Sequence, residues 1–236
     1  MIRLLVLMGF IFSMVGRAQD SGIPSEILNE LETILIETKE DTFMCRVVYP
    51  ANYNPEKEYK CFLGLAGGKQ SLADVNYSYA AWFRSGYFKD YFTILPVAQS
   101  DSNNFKNYTS AEINSLLAAI NEKFRLSPTW LIGGTSNGGV AAFNFVAAFP
   151  DRFEGIIVAP GYLPNNVQLT EKWSHLKVVL AYGKLDADFW IKSTKTTAKR
   201  LKKTVKSLII APLEEQGHVL EIKFNADKMY DPYFIP

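Results

Sequence analysis

Thr129-Trp130-Leu131-Ile132-Gly133-Gly134-Thr135-Ser136-Asn137-Gly138-Gly139 delivers a short apolar run straight into a serine flanked by glycines. Trp130, Leu131 and Ile132 read as a buried strand, and Gly134, Ser136 and Gly138 form a Gly-x-Ser-x-Gly turn directly behind it. Val140, Ala141, Ala142, Phe143, Phe145, Val146, Ala147 and Ala148 then read as a buried helix ending at Pro150. A sharp strand-to-helix turn strains the serine backbone, and side chains in place of the glycines would collide with neighbouring elements. Ser136 becomes an exposed hydroxyl at the positive end of a helix, a position suited to a nucleophile. The bare pattern also arises by chance in loops. The strand before it and the helix after it, with no gap, favour the nucleophile.

A serine needs a base, and the chain holds two histidines, His175 and His218. His175 lies in the polar stretch Glu171-Lys172-Trp173-Ser174-His175 before the apolar run Val178–Ala181, and reads as a surface residue. His218 follows the run Leu208–Ala211 and the loop Pro212–Gly217, beyond the end of an expected strand where open sheets place ligand-binding groups. The third member is a carboxylate that fixes the imidazole tautomer. Asp186 stands three residues after Gly183, which ends the expected strand Lys177–Tyr182. Asp188 is explained as a cap of the helix that Phe189-Trp190-Ile191 begins, so Asp186 is preferred.

The order Ser136, Asp186, His218 is that of the α/β-hydrolases. From Val47 to His218 the chain resembles their compact single-domain esterases, among them feruloyl and acetyl-xylan esterases and the polyhydroxyalkanoate-depolymerase-like group. The landmarks are Tyr49-Pro50-Ala51-Asn52-Tyr53-Asn54-Pro55, Tyr59–Gly68, the serine turn, Phe149-Pro150-Asp151-Arg152-Phe153, Tyr182–Asp186 and Gly217-His218. The resemblance implies an α/β-hydrolase fold, a mostly parallel central sheet flanked by helices with no large lid. It also implies an oxyanion hole of backbone N–H groups, from Asn137 and from the loop after the third strand, where Gly68 aligns and Lys69 is the alternative. That loop usually begins His-Gly; here the pair is Ala66-Gly67, so something other than histidine must hold it.

Cys45 and Cys61 invite a disulfide in an oxidising compartment. By the resemblance, however, they lie on the second and third strands with the fourth, Phe92–Val97, between them. Two strand spacings set their Cα atoms about 9–10 Å apart, beyond bridging reach, so two buried free thiols are expected. No metal-ligand spacing and no phosphate-binding loop is present in the sequence, and ester chemistry of this type needs no cofactor.

The ends and the charge fit an exported enzyme. Met1-Ile2-Arg3, the apolar core Leu4–Val15 and Gly16-Arg17-Ala18 read as a secretory signal peptide cut after Ala18, leaving residues 19–236 as one domain. The apolar core is too short to anchor the chain, since spanning a bilayer takes about 20 residues. The chain carries a net charge of +1, and losing Arg3 and Arg17 leaves it near neutral, which argues against a nucleic-acid partner. The basic run Lys192–Lys206 reads as the solvated face of a helix.

Elsewhere, Pro24–Leu35 starts as a helix with Ser25 as N-cap, while Ile34–Thr38 reads either as its continuation or as a strand pairing with Thr42–Val48. Helices are expected at Asn76–Ser85 and at Ser110–Phe124, the latter opened by the capping box Thr109-x-x-Glu112. Alternating helices and strands from Cys61 onward give right-handed crossovers. Ala98–Tyr108 is a candidate wall of the substrate site, and Trp190 a candidate aromatic wall, with packing on the sheet as its alternative. The expected partner is a small-molecule or polysaccharide-linked ester, met outside the cytoplasm or in the periplasm. A prolyl-oligopeptidase-type peptidase carries a similar glycine-serine run, and a non-catalytic binding module keeps the fold; ester hydrolysis set beside peptide cleavage separates the three.

Overall fold

The apolar run ahead of Ser136 is β5 (Trp130–Gly134), fully buried and parallel to β3 (Lys60–Leu65) on one side and β6 (Phe153–Val158) on the other. A computed structural model describes residues 22–38, 41–99 and 104–235. The leader expected at Met1–Ala18 lies outside the described residues. The remaining strands are β1 (Glu32–Glu37), β2 (Thr42–Val48), β4 (Tyr91–Pro96), β7 (Lys177–Gly183) and β8 (Ser207–Leu213). They form an 8-stranded sheet in the order β1-β2-β4-β3-β5-β6-β7-β8. β1 and β2 pair antiparallel, as do β2 and β4, and every later pairing is parallel.

Helices cover both faces, so the central strands are buried and read as unbroken apolar runs. On one face α3 (Ser110–Lys123), α4 (Asn137–Ala148) and α5 (Asp188–Leu201) pack over Cys61, Leu63, Ile132 and Val178. On the other, α2 (Leu72–Ser78), a π-helical turn at Tyr79–Phe83 and α6 (Asp227–Phe234) pack over Phe62, Leu131 and Val179. The capping box at Thr109 and Glu112 forms as expected. Cys45 and Cys61 are buried free thiols, with β4 between their strands. Among the described residues no helix is long and apolar enough to cross a membrane.

Four local expectations are corrected. Ser25 does not cap the first helix, α1 (Ser25–Leu28), but begins it behind Pro24; the second half of that region is the strand β1. The helix expected from Asn76 starts at Leu72, because Ser71 and Asp74 form a capping box. Asp188 is not a cap: Ala187 holds that position with no side-chain bond, and Asp188 pairs with Lys192 at 2.8 Å. The crossover from β6 to β7 contains a 3₁₀ turn at Glu171–Trp173 in place of an α-helix. Arg200 pins this crossover, donating to the carbonyls of Leu163, Pro164 and Val167. Arg200 is thereby the exception in the basic run, whose lysines are all exposed.

Candidate active site

Ser136 sits where β5 turns into α4, with φ +52° and ψ −117°, a strained backbone that persists only where its surroundings dictate it. Three contacts do so. Thr135 N–H donates to Leu65 O (3.2 Å), Ser136 N–H to Pro160 O (2.7 Å) and Gly138 N–H to Thr135 O (2.7 Å). The turn is thus tied to the end of β3 and to the chain beyond β6. A Cβ on Gly138 would lie 2.0 Å from Leu65 O, and one on Gly134 2.3 Å from Gly138 O, so the two motif glycines permit the close approach.

His218 reaches this point from the loop after β8. The loop lies directly on Gly183, where a Cβ would meet Gln216 O at 2.2 Å, and Leu185 N–H donates to Gln216 O at 2.9 Å. Beyond the histidine, the Tyr77 hydroxyl of α2 donates to Leu220 O at 2.9 Å. His218 Nε2 stands 3.0 Å from Ser136 Oγ, and Nδ1 lies 3.1 and 3.2 Å from the two Asp186 oxygens. Asp186 carries a fully buried side chain, which also accepts Ala187 N–H at 2.6 Å. The set is satisfied when Nδ1–H donates to Asp186 and Nε2 accepts the serine proton, the tautomer a general base requires.

The structure therefore brings Ser136, Asp186 and His218 together. It holds His175 apart: that residue is exposed, with Nε2 2.9 Å from Phe153 O. Asp188 is exposed as well, and its carboxyl is held below the usual range by the hydrogen bond and charge of Lys192.

Asn137 and Gly68 face each other beside Ser136. Among the described residues neither backbone N–H has a protein acceptor, whereas Lys69 N–H is taken by Asp74 Oδ2 at 3.1 Å. An unpaired N–H is uncommon unless a ligand or water uses it, and here the two belong to residues bonded to each other next to Ser136. The Asn137 side chain joins the two residues, its Nδ2 donating to Gly68 O at 2.8 Å and its Oδ1 accepting from Lys106 Nζ at 3.0 Å. Asn104 Nδ2 also donates to Gly68 O, at 3.2 Å. Asn104 and Lys106 of the expected wall thus border the site, while Phe105 and Tyr108 pack into the core; residues 100–103 lie outside the described residues.

Trp190 is half-buried and lies over His218, the ring centroids 4.7 Å apart. Phe189 and Tyr162 complete an aromatic cluster around it, at 5.3 and 5.8 Å from its ring. The exposed side chains of Leu185, Phe189 and Val219 extend an apolar rim along this edge. Gln70 and Tyr162 carry no signal in the sequence, and Asn104 and Lys106 are marked there only as part of the wall Ala98–Tyr108. Their partners are remote in the chain, and only Gly67-Gly68 hinted that the loop near Gln70 mattered. Among the described residues no group of three His, Cys, Asp or Glu side chains comes together to hold a metal.

Residues 56–225 match the model of the phospholipase/carboxylesterase family. No curated protein matches the sequence. The native esterase Est2 of Thermogutta terrifontis superposes with a TM-score of 0.63 over 93% of this chain and 94% of its own, at 12% identity. Carboxylesterase CesB (YbfK) from Bacillus subtilis gives 0.59 over 88% and 94%, at 14% identity. A thermostable esterase gives 0.61 over 89% of this chain at 15% identity, and this chain spans 61% of that protein's length. Thermogutta terrifontis esterase 2 has also been solved phosphorylated by paraoxon. These likenesses establish a shared fold, and the family match goes further: the chain belongs to the phospholipase/carboxylesterase family of α/β-hydrolases.

Proposed function

We propose that this protein is a serine carboxylesterase working through an acyl-enzyme on Ser136. The observation that carries the reading is the unbroken line from Ser136 Oγ to His218 Nε2 (3.0 Å) and from His218 Nδ1 to the buried Asp186 carboxylate (3.1 Å). His218 takes the serine proton as Oγ attacks the ester carbonyl, and Asp186 stabilises the imidazolium that forms. The N–H groups of Asn137 and Gly68 receive the carbonyl oxygen as it becomes an oxyanion, worth on the order of 3 kcal/mol for a single donor in comparable sites. The tetrahedral intermediate collapses, His218 passes its proton to the departing alcohol, and the acyl group stays on Ser136. Water then attacks by the same route and frees the acid. No cofactor enters these steps.

The apolar rim of Trp190, Phe189 and Tyr162 receives the flat or apolar part of the ester. The leader read from Met1–Ala18 directs the reaction outside the cytoplasm. Together with the resemblance to feruloyl and acetyl-xylan esterases, it supports acyl groups on polysaccharides as the physiological substrate. The test is acid release from p-nitrophenyl acetate, an aryl ester and an acetylated polysaccharide, beside a peptide amide, with paraoxon labelling read by mass spectrometry. Ester turnover and one phosphoryl adduct on Ser136, both abolished in Ser136→Ala, are expected. Turnover that survives in Ser136→Ala, or cleavage of the amide alone, would overturn the proposal.

A further inference from the structure

We infer that Gln70 is the positioning residue of the oxyanion loop, aiming the Gly68 N–H at the reacting carbonyl; the inference rests on the ester-hydrolase reading above. The loop Ala66–Gln70 opens on Ala66, which has no polar side chain with which to brace it. Gln70 is fully buried, adopts a left-handed backbone (φ +62°), and has each of its four polar atoms hydrogen-bonded within this loop and its neighbours. Its Nε2 donates to Ala66 O at 3.0 Å, and its Oε1 accepts Phe105 N–H at 2.7 Å. Its own N–H donates to Gly67 O at 3.1 Å, and its carbonyl accepts Ala98 N–H at 2.8 Å.

The bond to Gly67 O is the decisive one. Gly67 O and Gly68 N–H belong to one planar trans peptide and point in opposite directions. Fixing the oxygen inward on Gln70 therefore fixes the N–H outward. The side chain keeps residue 70 where its N–H can do this, by spanning Ala66 on one side and Phe105 on the other. Phe105 follows Asn104, whose Nδ2 holds Gly68 O, so one buried amide links both supports of the donor. Glycine at 67 and 68 would otherwise leave this peptide free to rotate.

Gln70→Met preserves length and removes both side-chain bonds; Gln70→Glu keeps an acceptor for Phe105 but loses the donor to Ala66. Steady-state kinetics on p-nitrophenyl acetate are measured for both and for the wild type, with amide hydrogen exchange at residues 70 and 98. In Gln70→Met, kcat is expected to fall at least about ten-fold with KM within about two-fold, because a donor displaced by an ångström or less loses its grip only on the transition state. Exchange at both amides is expected to quicken about ten-fold or more, and Gln70→Glu, whose carboxylate would face Ala66 O, to lose kcat as well. A folded Gln70→Met with unchanged kcat, or with its loss wholly in KM, overturns the inference. Should Gln70→Met fail to fold, wild-type kcat in Gln70→Glu overturns it. A wild type inert toward esters and paraoxon overturns the esterase reading alone; the loop is then judged by exchange, and unchanged exchange in Gln70→Met overturns its positioning.

Discussion

The Asn137 side chain crosses from the turn after Ser136 to the facing loop, its Nδ2 donating to Gly68 O at 2.8 Å. Asn137 and Gly68, whose backbone N–H groups have no acceptor among the described residues, are therefore bonded to each other through a side chain. Asn137→Ala keeps its own N–H but removes the brace and leaves Lys106 without its 3.0 Å partner. The expected result is a kcat about ten-fold lower with little change in KM. Asn137→Asp should be worse, because a carboxylate would face both Gly68 O and the developing oxyanion. Wild-type kcat in Asn137→Ala would show that Gly68 needs no help from across the site.

The two histidines and the two aspartates give matched contrasts. His218→Ala should lower ester turnover by several orders of magnitude, while His175→Ala, exposed and bonded only to Phe153 O, should be nearly silent. Asp186→Asn should cost up to roughly 10⁴ in kcat by disturbing the tautomer. Asp188→Asn loses only an exposed pairing with Lys192 and should leave kcat unchanged. Kinetics on one short acyl ester decide all four, and an essential Asp188 with a dispensable Asp186 would reverse the assignment.

Trp190 packs on the His218 ring at 4.7 Å and has no place in the buried core. Trp190→Ala should raise KM for aryl esters far more than for acetyl esters, with a small change in Tm. An equal loss on both substrates, with Tm lowered by several degrees, would make it a support for His218 instead.

The buried thiols report on the sheet. Burial pushes the Cys45 thiol up to about 12 and the Cys61 thiol well above the ordinary thiol range, the nearby charge of Arg152 opposing the latter without cancelling it. A colourimetric disulfide reagent at pH 8 should therefore find no reactive thiol in the folded protein and both after guanidinium unfolding. Because both folded-state values are raised, the unfolded chain gives up its thiol protons first. Stability should fall as pH climbs through the ordinary thiol range and hold below it, as Tm against pH will show. Rapid labelling of either thiol in the native state would contradict the buried sheet.

The parts legible in the sequence were those with local causes. The serine turn could be read because its glycines, its strand and its helix are contiguous, and Asp186 and His218 because each follows an apolar strand. The strand at Glu32–Glu37 was ambiguous because Ile34, Leu35 and Ile36 suit either periodicity; pairing with β2 decides it. The start of α2 was missed because its capping box closes with Asp74, a shorter acid than the usual glutamate. Gln70 was silent for a different reason. Its partner Phe105 is 35 residues away, and an isolated glutamine has no pattern to betray that it is buried.

The seven residues of α2 touch both sides of the proposed site. Their N-terminal box, through Asp74, holds Lys69 and Ser71 at the end of the loop Ala66–Gln70, and Tyr77 holds Leu220 two residues beyond His218. If this short helix opens as a unit, that loop and His218 loosen together. Mild denaturant should then switch the enzyme off in a single step while the central sheet stays folded. The protein would have one fuse rather than two, and a stabilising change confined to α2 would move the loss of activity without moving the global melt.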